Sequence, residues 1–180
     1  MSKVSKKICI LGCEIGKSRL NPYLLDIQCN NQHFSTIGVK IYRKAVELTE
    51  KELTFQFIIW DLASHGKYHR LLNSYLKGAS GAVVVADINR QETIEKLVEY
   101  VQLFFSINPH GVVIAILTQA ETGKDIPIIY LVQFQPENQL IVSCQSYPNK
   151  YQFIDEIFKT LALQIVDPDR IPVVSEDTII

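Results

Sequence analysis

The residues whose chemistry stands out first are Gly16, Lys17 and Ser18, which end the stretch GCEIGKS. Backbone amides at the start of a helix bind anions, a lysine can reach the outer phosphates of a nucleotide, and a serine hydroxyl can ligate Mg²⁺. A phosphate-binding loop has the spacing G-x-x-x-x-G-K-[ST], whereas Gly12 is one residue too close to Gly16. The sequence therefore predicts an altered phosphate loop made of Gly12, Cys13, Glu14, Ile15, Gly16, Lys17, Ser18 and Arg19.

The altered loop can be aligned with the standard one in two ways. Either one residue is deleted, which shortens the row of amides, or Leu11 replaces the first glycine and puts a side chain where the backbone must turn tightly. Both changes weaken the predicted phosphate site. Glu14 also adds a carboxylate beside the expected phosphates, and like charges repel.

Apolar patterns predict the elements that would position this loop. Short apolar runs predict buried strands, two β-rich runs separated by TEKE predict a hairpin, and helical spacing of apolar residues predicts helices. Pro22 falls inside one helical pattern and should kink or shorten that helix. The predicted strands are 6–11, 38–48, 53–60, 81–87, 111–118 and 139–144, and the predicted helices are 17–27, 91–106 and 148–165. The pattern of residues 125–135 is ambiguous and favours a helix.

Buried strands that alternate with helices predict an α/β fold, a three-layer sandwich whose six-stranded, mostly parallel sheet has helices on both faces. Ligands bind such sheets at the carboxyl ends of the strands. Four polar segments follow strands at that edge, so the sequence predicts one site there. The segments are 12–18, 61–66, 118–121 and 143–145.

The composition excludes several classes of protein. With 18 basic and 19 acidic residues, the chain has no charge excess for binding nucleic acid. No apolar run is long enough to span a bilayer, and the four cysteines lack metal-binding spacing, which fits a reducing compartment. We expect a cytoplasmic protein with one domain over residues 1–166 and a flexible tail over 167–180.

Three stretches carry a resemblance to a known family: STIGV at 35–39, WDLASHGKY at 60–68 and SYLKGASGAVVVADINRQETI at 74–94. They match switch I, the W-D-T-A-G-Q-E-[RK]-[FY] motif and the strand that follows in small GTPases of the Ras superfamily. The chain resembles this superfamily over residues 6–165, most closely its Rab type. The resemblance implies the small G-protein form of the P-loop NTPase fold, with GTP or GDP and Mg²⁺ as ligands.

The resemblance also implies a role for each matching residue. Lys17 would hold the outer phosphates, Ser18 and Thr36 would ligate Mg²⁺, and Asp61 would support the metal. His65 stands where the family has a water-positioning glutamine, and a neutral histidine can orient water or accept its proton. The alternative for His65 is an exposed residue with no catalytic task.

The base-reading motifs are altered more than the phosphate loop. The family's N-K-x-D motif falls on TQAE, where glutamine lacks the stacking stem of lysine and glutamate is one methylene longer than aspartate. The family's S-A-K motif falls on SCQ. The resemblance therefore implies a weak guanine site formed by Thr118, Gln119, Glu121, Ser143, Cys144 and Gln145.

Ile41, Trp60 and Tyr75 match an apolar and aromatic triad through which Rab proteins bind effectors. Exposed aromatic residues are common binding anchors, and Trp60 is the one tryptophan of the chain. The alternative is simple packing of the predicted hairpin against the following helix. The tail has no C-a-a-X box, so we expect effector or regulator proteins as partners, no nucleic acid, and membrane association only through a partner.

The resemblance leads to two hypotheses about function. The first is a divergent Rab-like GTPase that binds GTP and GDP with Mg²⁺, hydrolyses GTP slowly, and engages partners in membrane traffic. The second is a pseudo-GTPase that keeps the fold as a protein-interaction module. Ser64, which replaces a glycine of the family, favours the second, whereas the complete phosphate and metal set favours the first. A small P-loop kinase ranks third, because the sequence lacks an arginine-rich lid.

Overall fold

The computed structural model describes residues 2–14, 16–17, 38–63, 69–118, 129–134, 140–145 and 150–167. The strands of this part of the chain are β1 (Ser2–Gly12), β2 (Val39–Leu48), β3 (Leu53–Leu62), β4 (Gly81–Asp87), β5 (Val112–Thr118), β6 (Ile129–Phe134) and β7 (Leu140–Gln145). The helices are α1 (His69–Leu76), α2 (Gln91–Ile107) and α3 (Lys150–Val166), and a 3-10 turn spans Thr49–Lys51.

The strands form one sheet in the order β2-β3-β1-β4-β5-β6-β7. Strand β1 pairs in parallel with β3 on one side and with β4 on the other, and β4 pairs in parallel with β5. Every residue of β4 is buried, as expected for a strand that is covered on both faces. Parallel pairing brings the carboxyl ends of these four strands to one edge of the sheet, which we call the carboxyl edge.

The predicted hairpin is confirmed. Strands β2 and β3 pair antiparallel from Val39 opposite Leu62 to Leu48 opposite Leu53. The 3-10 turn closes the hairpin, and Glu52 takes a left-handed conformation with φ 51° so that the chain can reverse. The hairpin therefore carries Asp61 to the carboxyl edge.

Each face of the sheet packs against helices, which confirms the three-layer α/β fold. On one face α3 covers a core in which the rings of Phe57 and Phe158 lie 5.8 Å apart. On the other face α1 and α2 cover a second core, to which they contribute Leu76 and Phe104. Lys44 of β2 also joins Asp155 of α3 in an ion pair of 2.5 Å, which ties the hairpin to the closing helix.

Three details of the predicted fold are wrong. Residues 125–135 were predicted to be helical, but Ile129–Phe134 form strand β6, because β-branched and aromatic side chains fit a pleated sheet better than a helix. The described part of the sheet has seven strands rather than six. It is mixed rather than mostly parallel, since the pairs β2–β3, β5–β6 and β6–β7 are antiparallel.

The predicted helix at 17–27 and the tail at 167–180 lie outside the described residues, apart from Lys17 and Asp167. The boundary between domain and tail therefore stays a prediction. Among the described residues, no helix has the length and apolar character needed to cross a membrane.

Candidate functional site

Gly12 ends β1 in a conformation and a position that only glycine can take. Its φ is 121°, and a Cβ atom at this residue would lie 1.9 Å from the carbonyl oxygen of Val85 in β4. The next amide, of Cys13, donates to that same oxygen over 3.0 Å. The loop therefore leaves the sheet in direct backbone contact with β4.

The structure decides between the two alignments of the loop. Leu11 is a core residue of β1, 2 % exposed and paired with Val84, so it does not stand in for a loop glycine. Gly12 is the first glycine of the loop, and one residue is deleted. The chain then enters a helical turn at once, because the amide of Lys17 already donates to the carbonyl oxygen of Cys13 over 3.0 Å.

The second glycine of the loop is also crowded. A Cβ atom at Gly16 would lie 2.7 Å from Cγ1 of Val85 and 3.0 Å from Sγ of Cys13. The amide of Gly16 donates to that sulfur over 3.3 Å. One amide of the short loop is therefore satisfied by the loop's own cysteine, and it must exchange this partner to bind a phosphate oxygen.

Lys17 is the charged centre of the site. Its side chain is 2 % exposed, and its Nζ lies 3.2 Å from Oδ1 of Asp61 and donates to the carbonyl oxygen of Leu62. Oε1 of Glu14 lies 3.6 Å from the same nitrogen. Asp61 is 6 % exposed, so the two opposite charges stabilise each other where water is largely excluded. The structure thus brings together Lys17 and Asp61, which the resemblance assigned to one site.

Tyr100 of helix α2 lies near the loop residues Cys13 and Glu14. Burial raises the pKa of Tyr100, and the nearby carboxylates of Glu99 and Glu14 add to that rise. The phenol therefore stays protonated at neutral pH.

At the end of β4 the structure reveals a polar cluster that the sequence analysis missed. Asp87 is 1 % exposed, and its Oδ1 accepts the amide of Asn89 over 3.0 Å. Nε of Arg90 lies 3.7 Å from Oδ2, and Oγ1 of Thr93 accepts the amide of Asp87 over 2.9 Å. These contacts fix the turn into α2, and an aspartate followed by asparagine at i+2 was the available signal.

The described members of the predicted base-reading set lie on strands that are not neighbours. Thr118 ends β5, and β6 separates it from β7, which carries Ser143, Cys144 and Gln145. Thr118 is 1 % exposed, and its Oγ1 donates to the carbonyl oxygen of Ala86 over 3.1 Å. The structure therefore places these residues in the same sheet but not side by side.

Several predicted site residues lie outside the described residues, so their roles stay predictions. Among the described residues, no group of three or more His, Cys, Asp or Glu side chains could hold a metal ion. Of the predicted metal set, Asp61 is the described member. The residues outside are Ile15, Ser18, Arg19, Thr36, His65, Gln119 and Glu121.

The three predicted partner-binding residues do lie together. Ile41 pairs with Trp60 across the hairpin, and the rings of Trp60 and Tyr75 lie 6.1 Å apart. All three are partly buried against the core beneath α1 and α2, so the packing that the alternative interpretation requires is present, and each keeps an accessible surface.

Two further residues, which sequence reasoning missed, hold this triad in place. Nζ of Lys7 lies 4.0 Å from the centre of the Trp60 ring and donates to the carbonyl oxygen of Lys77 over 3.1 Å. Burial lowers the pKa of Lys7. Sγ of Cys9 donates to the carbonyl oxygen of Tyr75 over 3.6 Å, and burial raises the pKa of this thiol to about 12. These contacts join residues that are distant in sequence, so no local sequence pattern indicates them.

Comparisons with known proteins agree with this geometry. A family described as "Ras of Complex, Roc, domain of DAPkinase" matches residues 7–121, which run from β1 to just beyond β5. Human Ras-related protein Rab-31 is 27% identical over 168 residues, which cover 90% of this chain and 85% of Rab-31. Mouse Ras-related protein Rab-17 is 26% identical over 171 residues (91% of this chain, 76% of Rab-17). Ras-related protein RABA5b of Arabidopsis thaliana is 32% identical over 105 residues, 58% of this chain and 46% of its own length.

Proposed function

The chain belongs to the Roc family of Ras-like domains and is a divergent Rab-like small GTPase; from that premise we propose that it binds GTP and GDP with Mg²⁺ as a slow molecular switch. Its switch state would decide which effector or regulator proteins it engages in vesicle traffic. Family membership supports a cytoplasmic protein that associates peripherally with membranes.

The observation that carries this proposal is the contact of Lys17 with Asp61 beside Gly12. A buried lysine at the first turn after β1 is positioned to neutralise phosphate charge, and the carboxylate of Asp61 supplies the hard oxygen that Mg²⁺ prefers. Gly12 lets the chain leave β1 with its backbone against β4, and the amide of Lys17 then closes a helical turn on the carbonyl oxygen of Cys13. The donor set therefore fits a nucleotide phosphate with its metal.

The proposal assigns a role to each residue. Lys17 holds the β- and γ-phosphates, and Ser18 and Thr36 ligate Mg²⁺. Asp61 supports the bound metal. When bound, Mg²⁺ would neutralise charge on the phosphate oxygens. His65 orients the attacking water, and because it replaces the usual glutamine we propose slow hydrolysis.

The second candidate function is a pseudo-GTPase that binds proteins without a nucleotide cycle. Two contacts favour it: the amide of Gly16 is satisfied by Cys13, and Nζ of Lys17 is surrounded by carboxylate and carbonyl oxygens of the chain. A nucleotide must replace these partners before it gains its own contacts, which lowers its affinity. The triad of Ile41, Trp60 and Tyr75 would then be the functional surface.

A titration decides between these two functions. Nucleotide-stripped protein is titrated with fluorescent GDP and GTP analogues, with and without Mg²⁺, and its fold is verified by circular dichroism. Saturable, Mg²⁺-dependent binding that is lost in Lys17→Ala and kept in the control Lys159→Ala, a change at an exposed lysine of α3, supports the switch. Ser18→Ala should lose the Mg²⁺ dependence. Folded protein that binds neither analogue at tens of micromolar excludes the switch and leaves the pseudo-GTPase.

A further inference from the structure

The triad of Ile41, Trp60 and Tyr75 belongs to a wider accessible face of the sheet. Ile58 lies two residues before Trp60 in β3, so its side chain is on the same face, and it is also partly buried. Across the hairpin, Ile41 of β2 is paired with Trp60. The apolar side chains therefore form a strip along β3 that solvent still reaches.

Two cations flank this apolar strip. Arg43 of β2 is paired with Ile58 on one side, and Lys7 of β1 is paired with Ile58 on the other. Paired residues share a face of the sheet, so both cations lie on the face of Trp60. Arg43 is exposed, and Nζ of Lys7 lies 4.0 Å from the centre of the Trp60 ring. Neighbouring strands lie about 4.8 Å apart, which separates the backbones of the two cations by about 10 Å.

Helix α1, which carries Tyr75, adds positive charge to this face and no negative charge. Its sequence, HRLLNSYL, contains no Asp or Glu, and its Arg70 is exposed. Lys77 follows the helix and is exposed as well, and its carbonyl oxygen accepts a hydrogen bond from Nζ of Lys7. The surroundings of the triad are therefore cationic on the side of the helix as well as on the side of the hairpin.

The acidic residues of the three strands do not cancel this charge. Strands β1, β2 and β3 contain two of them, Glu47 and Asp61. Asp61 follows Trp60 directly, so it lies on the other face, and it contacts Lys17. Glu47 shares the face but lies four residues, about 13 Å, from Arg43. The whole chain has 18 basic and 19 acidic residues, so the positive charge beside the triad is a local feature.

The ammonium of Lys7 is suited to bind an anion. Burial lowers its pKa, because the surrounding side chains solvate its charge less well than water does. An ammonium has three N–H donors, of which the carbonyl oxygen of Lys77 accepts one, while the ring of Trp60 faces the charge. A carboxylate beside Lys7 would replace solvation that burial has removed. Charge complementarity therefore favours an acidic partner for this face.

We propose that the triad, together with Ile58, Lys7 and Arg43, docks an acidic amphipathic helix of a partner protein. The inference rests on the proposed partner-binding role of the triad and narrows the partner to one chemical class. A helix rises by about 1.5 Å per residue, so two carboxylates seven residues apart lie about 10 Å apart and match the two cations. Apolar residues three and four positions after the first carboxylate lie on the same side of the helix and would cover Ile58 and Trp60.

The first test selects peptides on the full chain. A phage-displayed library of randomised helical peptides is enriched on the wild-type chain and depleted on Trp60→Ala, so that the selection follows the triad and not charge. If circular dichroism shows that Trp60→Ala does not fold, Ile41→Ser takes its place. We expect the enriched peptides to carry an excess of Asp and Glu, with apolar residues between them. Neutral or basic peptides, or no enrichment, would overturn the inference.

The second test measures the charge contacts with the strongest selected peptide that lacks tryptophan. Its binding is followed through the fluorescence of Trp60, the one tryptophan of the chain. Arg43→Gln and Lys7→Met should each weaken binding by about two- to fivefold, since water weakens ion pairs at a surface. Lys40→Gln is the matched control, because Lys40 is exposed on the same strand as Arg43 but on its other face. Equal affinities of Arg43→Gln and Lys40→Gln would contradict the proposed contact.

Other occupants and the nucleotide switch are tested separately. The chain is sedimented with phosphatidylcholine vesicles that contain or lack phosphatidylserine. Binding to the anionic vesicles that is lost in Arg43→Gln, without binding of acidic peptides, would overturn the inference in favour of a membrane surface. A chain that binds acidic peptides through Arg43 but binds no nucleotide keeps the inference and loses the switch. A chain that binds GDP and GTP but no acidic peptide keeps the switch and loses the inference.

Discussion

The carboxyl edge of the sheet has two halves that use their polar residues in opposite ways. At the ends of β1 and β3, Lys17 and Asp61 face each other as buried charges beside Gly12, whose backbone packs against β4. At the ends of β4 and β5, Asp87 and Thr118 are just as buried, but their side chains bond to the adjoining turn and strand. We call these the phosphate half and the structural half.

The difference teaches that a position at the ends of parallel strands does not by itself make a binding site. In the structural half the side chains of Asp87, Thr93 and Thr118 each bond to an adjoining turn or strand. In the phosphate half the contact joins residues that are far apart in sequence and brings charge to the point where a helix begins. Both halves bury a carboxylate, but Asp87 pairs with the nearby Arg90, whereas Asp61 pairs with Lys17, which is distant in sequence.

The largest effect should follow from adding a side chain at Gly12, where the backbone of β1 contacts β4. Gly12→Ala forces a Cβ atom against the carbonyl oxygen of Val85 in a left-handed conformation, and we expect a loss of about 3 kcal/mol or more in the free energy of unfolding. Urea denaturation measures this loss. Gly78→Ala is the matched control, since its φ is 76° but nothing lies within 4 Å, and it should cost about 1 kcal/mol. Equal costs for both variants would contradict the close contact of β1 with β4.

The next effect separates an ion pair that is buried on both sides from one whose carboxylate is exposed. Lys17→Met leaves the carboxylate of Asp61 buried without its cation and should destabilise the protein by about 3 kcal/mol. Lys44→Met removes the partner of Asp155, which is 68% exposed, and should cost less than about 1 kcal/mol. Both values come from urea denaturation. Combining Lys17→Met with Asp61→Asn should recover part of the loss, and a purely additive double variant would argue against the pair.

A smaller effect concerns the charge next to the phosphates. Glu14→Gln removes the carboxylate that lies near Nζ of Lys17 and keeps its size. We expect GDP and GTP analogues with Mg²⁺ to bind about two- to fivefold more tightly, because half of this side chain is exposed and water weakens the interaction. The same titration on Glu92→Gln, an exposed change in the first turn of α2, should give the unchanged value. Unchanged or weaker binding in Glu14→Gln would mean that this carboxylate does not compete with phosphate.

The smallest effect tests whether the partner-binding triad is independent of both halves. Lys7→Met removes the ammonium above the ring of Trp60, and acrylamide quenching of the single tryptophan should increase about twofold while nucleotide affinity stays the same. Lys7→Arg should restore the wild-type quenching, since guanidinium also stacks on an indole ring. Lys3→Met, an exposed change on the same strand, is the control. If quenching does not change in Lys7→Met, or if Lys7→Arg does not restore it, the contact of Lys7 with Trp60 does not protect the ring.

The sequence predicted the elements whose signal is local. The apolar runs of β1, β4 and β5 and the helical spacing of α2 and α3 needed no tertiary information, and the structure confirms them. Segment 125–135 failed because a short apolar run fits either a strand or a helix, and only pairing with β5 decides it. The loop alignment was ambiguous for the same kind of reason, since Val85, which forces glycine at residue 12, belongs to another strand. The role of Lys7 was missed because its partners are distant in sequence.

The order of the strands also bears on how the chain is made. Of these strands, β1 is synthesised first, but its partners begin only at Leu53 and Gly81. Its apolar run therefore stays unpaired until β3 and β4 have been synthesised. Strands β5 and β6 instead pair with the strands that directly follow them, β6 and β7, and can pair as soon as those strands emerge. During synthesis, the first strand is therefore the segment most exposed to wrong partners, and its three lysines help to keep it from aggregating.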